Sequence, residues 1–134
     1  GWWDEESATG RVWRWSTGDA SLVLLSAMPR RIQLVIEASS VAGVESQWEL
    51  DGRPIGAIAI AAQPGQTNRV LSLVIPAGRS VLRMRAPTVT DAYGRSVAVS
   101  FTQLYVRSAQ PVIGPAIALP PVPSTRPLCA PVTP

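Results

Sequence analysis

A chain of 134 residues is one domain by length, large enough to bury a core without disulfide or metal staples. Apolar residues make up 46% and charged ones 16%, the composition of an ordered globular body and not of a disordered one. The net charge of +3 comes from arginine alone, with no lysine, against nine carboxylates; this mild excess excludes the dense basic stripe of a nucleic-acid binder.

The first predicted strand covers 11–16, where Arg11, Trp13 and Trp15 alternate with Val12 and Arg14. Ser16-Thr17-Gly18 turns the chain into a second strand over 20–26. Over 31–38, Ile32, Leu34 and Ile36 share a core face while Gln33 and Glu37 face water. Over 45–50, Trp48 and Leu50 point inward and Gln47, Glu49 and Asp51 outward. Asp51-Gly52 is a two-residue hairpin signal, and the next strand follows Arg53-Pro54 over 55–61. Leu71, Leu73 and Ile75 share a face of 68–75, which stops at Pro76-Ala77-Gly78. Leu82, Met84 and Ala86 oppose Arg83 and Arg85 in 80–86, and a last strand runs over 97–106. No long window carries a helical i, i+3, i+4 stripe. Regular short strands with turn residues between them predict an all-β fold, an antiparallel jelly-roll β-sandwich spanning 1–107.

Composition then changes. Residues 108–134 form an extended proline-rich tail, and eight of the thirteen prolines fall within 111–134. Polyproline II at ~3.1 Å per residue would carry those residues about 70 Å. The mostly apolar stretch Ser108–Thr125 holds five prolines, which excludes an uninterrupted membrane-spanning helix. The chain opens at Gly1 without an initiator methionine or leader, as expected of a processed product or an excised piece.

Histidine is absent, which removes the usual neutral-pH base and the commonest zinc ligand; without lysine there is no Schiff base and no P-loop. Cys129 is the only cysteine, so no internal disulfide exists, and a bystander thiol is expected, with a link to another chain or a lipid as the alternative. Asp4, Glu5 and Glu6 adjoin near the start, and Glu37, Glu45, Glu49 and Asp51 sit at outward positions, a pattern of solvated carboxylates rather than of an acid/base pair. No enzymatic activity and no cofactor are expected. Calcium is the one metal with ligands at hand, in Asp4, Glu5 or Asp91, at spacings unlike an EF-hand loop.

Sugar-binding surfaces stack rings on exposed aromatics, and the available rings are Trp2, Trp3, Trp13, Trp15, Trp48, Tyr93 and Tyr105. Trp15 and Trp48 lie on apolar sides of their strands and read as core. Trp2 and Trp3, ahead of the first strand, and Tyr93 with Arg95, in the loop Asp91–Arg95, are the candidate glycan contacts. Arg30, Arg31, Arg79, Arg83 and Arg85 would offer a patch for acidic glycans or phospholipid headgroups if the fold gathers them; solvated strand faces are the plain alternative.

The order Gly1-Trp2-Trp3-Asp4-Glu5, then Trp13-Arg14-Trp15-Ser16-Thr17-Gly18 and Ala20-Ser21-Leu22-Val23-Leu24, resembles the opening of galactose-binding-like jelly-roll domains attached to bacterial membrane glycosyltransferases and other envelope proteins. Leu50-Asp51-Gly52-Arg53-Pro54-Ile55-Gly56 is similar to their central hairpin. Pro87-Thr88-Val89, Asp91, and Gly94-Arg95-Ser96-Val97-Ala98-Val99 leading to Leu104-Tyr105-Val106 resemble their close. The resemblance covers about 1–107, implies a non-catalytic, extracytoplasmic β-sandwich with sugar binding as a possible property, and transfers no binding residue. The tail is foreign to it.

The role expected from these readings is a structural or interaction subunit of a cell-envelope or extracellular assembly. In that role the tail grips a neighbouring protein through Val112, Ile113, Ile117, Leu119, Val122 and Leu128. The alternative is a carbohydrate-binding accessory module of a membrane glycosyltransferase. Protein subunits and glycans are the expected partners, nucleic acid is not, and any membrane association would run through a segment or partner outside this chain.

Overall fold

The computed structural model describes residues 1–8 and 11–112. Eleven strands in chain order are β1 (Trp2–Ala8), β2 (Arg11–Ser16), β3 (Asp19–Ser26), β4 (Arg30–Ser39), β5 (Val44–Leu50), β6 (Arg53–Ile60), β7 (Thr67–Ile75), β8 (Gly78–Arg85), β9 (Val89–Thr90), β10 (Ser96–Val97) and β11 (Ser100–Pro111). There is no helix among the described residues. One sheet has the order β1-β2-β11-β4-β7, the other β3-β8-β5-β6, and β9 and β10 form a separate hairpin. Every strand pair in the three sheets is antiparallel. This is the all-β jelly-roll sandwich that the alternation predicts.

The core lies between the two larger sheets. Ile32, Leu34, Ile36 and Ala38 of β4, Leu73 and Ile75 of β7 and Phe101 of β11 meet Ala20 of β3, Trp48 and Leu50 of β5, Ile58 and Ile60 of β6, and Leu82 and Met84 of β8. From Ile32 to Ala38 the even-numbered residues of β4 are buried while Gln33, Val35 and Glu37 are only half-buried, as period-2 alternation requires. Burying each large aliphatic or aromatic side chain in this layer contributes about 1.5–3 kcal/mol. Trp48 sets its edge against the Phe101 ring at 6.3 Å and donates its indole N–H to Ser46 Oγ at 2.9 Å, so its one polar atom is satisfied. Trp15 is buried too.

Asp51 and Gly52 both take left-handed backbone angles (φ 50° and 82°), the pair that a tight β5–β6 hairpin demands. Val81 of β8 donates its N–H to Asp51 Oδ1 and accepts from the Asp51 N–H at 2.8 and 2.9 Å, which ties the turn to the neighbouring strand.

Three features differ from the sequence reading. Trp2 and Trp3 do not precede the first strand; they belong to β1, an edge strand that pairs with β2. Strand signals are weak there because a bulge between Trp2 and Glu5 breaks the alternation. The stretch 97–106 is not one strand. Ala98 and Val99 leave the ladder, where Ser16 holds them through its backbone and its hydroxyl, and divide it into β10 and β11. Finally, β11 stays paired with β4 as far as Pro111 opposite Arg30, beyond Arg107 where the composition begins to change.

Candidate functional site

The bulge in β1 builds the site. In a regular strand, residues three apart face opposite ways. Here the extra residue puts Trp3 and Glu6 on one side of β1, where both reach Arg95. Trp2 goes to the other side, its ring 5.4 Å from Phe101 and its indole N–H donating to the Ser21 carbonyl at 3.1 Å. Glu6 lies opposite Trp13 in the β1–β2 register, and the Trp13 indole N–H donates to Glu6 Oε1 at 2.9 Å.

The other half of the site is the loop between β9 and β10. Asp91 Oδ1 accepts the backbone N–H groups of Tyr93 and Arg95, each at 2.9 Å, and Asp91 Oδ2 accepts Arg95 Nε at 2.8 Å. The Asp91 N–H donates to the Arg95 carbonyl at 2.9 Å, and Gly94 closes the turn in the left-handed region at φ 80°. Arg95 then bridges the two halves, since its Nη1 pairs with Glu6 Oε2 while its Nη2 lies 2.7 Å from Asp91 Oδ2. Its guanidinium carbon also sits 5.5 Å from both the Trp3 and the Tyr93 ring centroids, within cation–π range. The Trp3 indole N–H donates to the Ser96 carbonyl at 3.0 Å.

These contacts set the electrostatics. Burial works to raise the Asp91 pKa, but the hydrogen bonds from Arg95 and Tyr93 and the Arg95 charge outweigh it, and the carboxyl lies below its ordinary value. Hydrogen bonds to Glu6 first and Asp91 second raise the Arg95 pKa. The arginine is therefore a fixed structural cation, engaged along its edge by two carboxylates. Tyr93 projects from this base with 83% of its surface exposed. Beside it Glu6, Ser7, Trp13, Tyr93 and Arg95 line an open cleft of about 450 Å³. A ring presented on a rigid loop next to carboxylate and hydroxyl groups can stack on a sugar ring and accept its hydroxyls.

Of the candidate glycan contacts, the fold brings Trp3, Tyr93 and Arg95 together and leaves Trp2 apart, against Phe101. Glu6, Asp91 and Trp13 complete the cluster. Glu6 was hidden because its orientation depends on the bulge; an aspartate two residues ahead of Tyr93, the spacing of an Asx-type turn, is the signal that points to Asp91. Val112 donates its N–H to the Pro29 carbonyl at 3.2 Å. Ile113, Ile117, Leu119, Val122, Leu128 and Cys129 lie outside the described residues.

Asp4, Glu5 and Asp91 are not gathered, and among the described residues no three acidic, cysteine or histidine side chains could hold a metal ion together. The five arginines do not share one sheet, since Arg30 and Arg31 belong to β4 and Arg79, Arg83 and Arg85 to β8 of the other sheet. Arg83 pairs with Asp19, and Arg85 lies 2.9 Å from Glu49.

No protein-family model matches the sequence, and no curated protein matches it. Solved structures do share the fold. A family 35 carbohydrate-binding module from Clostridium thermocellum superposes with a TM-score of 0.56 at 11% identity, over 78% of this chain and 87% of that one. Another family 35 module, from an environmental isolate, gives 0.51 at 10% identity over 86% and 93% of the two chains. At such identities the likeness is one of architecture, and the chain shares their jelly-roll β-sandwich fold.

Proposed function

We propose that this chain is a non-catalytic carbohydrate-binding module acting outside the cytoplasm, with the Tyr93 loop as its contact surface. The observation that carries this reading is Tyr93 itself, an exposed ring on a loop fixed by Asp91 and Arg95 beside the Glu6–Ser7–Trp13 cleft. Such rigidity limits the ordering cost of binding. The fold likeness to carbohydrate-binding modules supports this role over the assembly role, whose docking residues, Val112 apart, lie outside the described part of the chain. A membrane glycosyltransferase as the host protein finds no support in the described residues.

The test is affinity electrophoresis of the full chain through gels containing xylan, galactomannan, mixed-linkage glucan, pectin or alginate, followed by calorimetry on any polysaccharide that retards it. Tyr93→Ala should weaken binding about 3- to 10-fold, the worth of one aromatic contact. Retardation by none of these, or full affinity in Tyr93→Ala, would refute the reading.

A further inference from the structure

The outer face of the five-stranded sheet carries groups that the Arg95 cluster does not use. Directly opposed residues of an antiparallel pair point to the same face, so the register lays out a grid across β11, β4 and β7. Gln103, Glu37 and Asn68 form one row, and Tyr105, Val35 and Val70 form the next. Beyond them the β11 bulge between Val106 and Ser108 turns Arg107 toward β4, where its Nη2 and Nε donate to Gln33 Oε1 at 3.0 and 3.3 Å. Ser72 stands opposite Gln33 in β7. Successive rows lie about 7 Å apart and the strands about 4.8 Å apart.

The middle row is apolar and open, with Tyr105 47% and Val70 43% exposed. The side chains of Glu37, Asn68 and Gln103 have no hydrogen-bond or ion-pair partner among the described residues. Val35, Glu37, Asn68, Val70, Gln103 and Arg107 contribute to the walls of one open groove of about 430 Å³. A narrow apolar strip with a ring at one end, flanked on both sides by hydrogen-bonding groups, matches the chemistry of a pyranose. Its C–H face is apolar and its rim is hydroxyl.

Two arguments choose a sugar chain over other occupants. The strip crosses three strands, about 10 Å, and with its flanking rows spans about 14 Å, an area of roughly 140 Å², far less than the ~800 Å² per partner of a standard protein interface. The groove walls hold the carboxylate of Glu37 against the guanidiniums of Arg69 and Arg107, a net of a single positive charge, too little to select a polyanionic ligand. The geometry points to a second carbohydrate-binding surface on this face, taking a neutral oligosaccharide laid across β11, β4 and β7 with its rings over Tyr105, Val35 and Val70. It shares no residue with the Tyr93 loop and stands independently of that site.

Nitrogen-15-labelled full chain, titrated with tetra- to hexasaccharides of mannan, xylan, cellulose and galactan, tests it by NMR. Asn68 is the only asparagine, so its side-chain amide pair, assigned by its loss in Asn68→Asp, reports on this face alone. At least one probe should shift the Asn68 and Gln103 side-chain signals saturably. Tyr105→Ala should weaken that response at least 3-fold, the worth of a ring contact, with the Gly94 signal unaffected. Gln103→Ala provides a second variant at an exposed position. Shifts confined to the Tyr93 loop would overturn the second surface and leave the first standing. Absence of any shift at Asn68 with all four probes, or a response undiminished in both variants, would overturn it equally.

Discussion

Between the sheets, Ile36 of β4 and Leu82 of β8 are almost wholly buried among neighbours that alternation alone supplies. Around Arg95, residues from β1, β2 and the β9–β10 loop meet through a few directed contacts, including Arg95 to Glu6 across 89 positions of sequence and Trp3 to Ser96 across 93. The first region is stabilised by area and the second by geometry. Area is redundant, so loss of one side chain there is graded. Geometry is not, so the site should lose its shape at perturbations that barely register in global stability.

The largest effect on that contrast should come from Trp48→Ala. Removing the ring that meets Phe101 and Ser46 leaves a cavity between the sheets and should cost about 3–5 kcal/mol in urea unfolding. A loss under about 1 kcal/mol would mean that the core repacks freely and that the contrast is false.

Arg95→Met comes next. It leaves Glu6 and Asp91 without their common cation, so the melting temperature should fall by less than in Trp48→Ala. Hydrogen exchange at the Tyr93 and Arg95 amides should nevertheless accelerate more than anywhere in β4. Equal acceleration in both places would show one cooperative unit rather than two regions.

Acid sharpens the comparison further. The folded Asp91 pKa is depressed, so its contribution is complete above the unfolded carboxyl value of about 3.9 and disappears as pH falls through the lower folded value. The Tyr93 and Arg95 amide signals should therefore titrate together below about pH 4, in a step absent from Asp91→Asn. A step above that range would contradict the carboxylate's role in the loop.

The smallest effect belongs to Leu25→Ser. Leu25 is 77% exposed on the outer side of β3, and the change should stay within about 0.5 kcal/mol by denaturant unfolding. A larger loss would mean that this face is covered.

How far the sequence could be read follows the same division. Trp48, Leu50, Ile32, Leu34, Ile36, Leu82 and Met84 occupy the inward positions that period-2 patterning predicts, because burial on one sheet face imposes that period directly. The Asp51-Gly52 hairpin was legible from the chemistry of positive φ. Tyr93 and Arg95 stood out as a ring and a cation in one loop. Trp3 was a candidate without a partner, and Glu6 read as one of three solvated carboxylates. Their meeting at Arg95 depends on where a bulge falls in an edge strand, and one displaced residue reverses every later side chain without changing composition.

The long seam between β11 and β4, from Ser100 opposite Ser39 to Pro111 opposite Arg30, also has a mechanical meaning. A pull on the chain through Val112, directed along β11, would load that seam in shear. The hydrogen bonds to β4 along the seam would then share the force, instead of parting one after another as in peeling. Drag applied at Val112 would thus meet the sandwich along a seam loaded in shear rather than one that unzips.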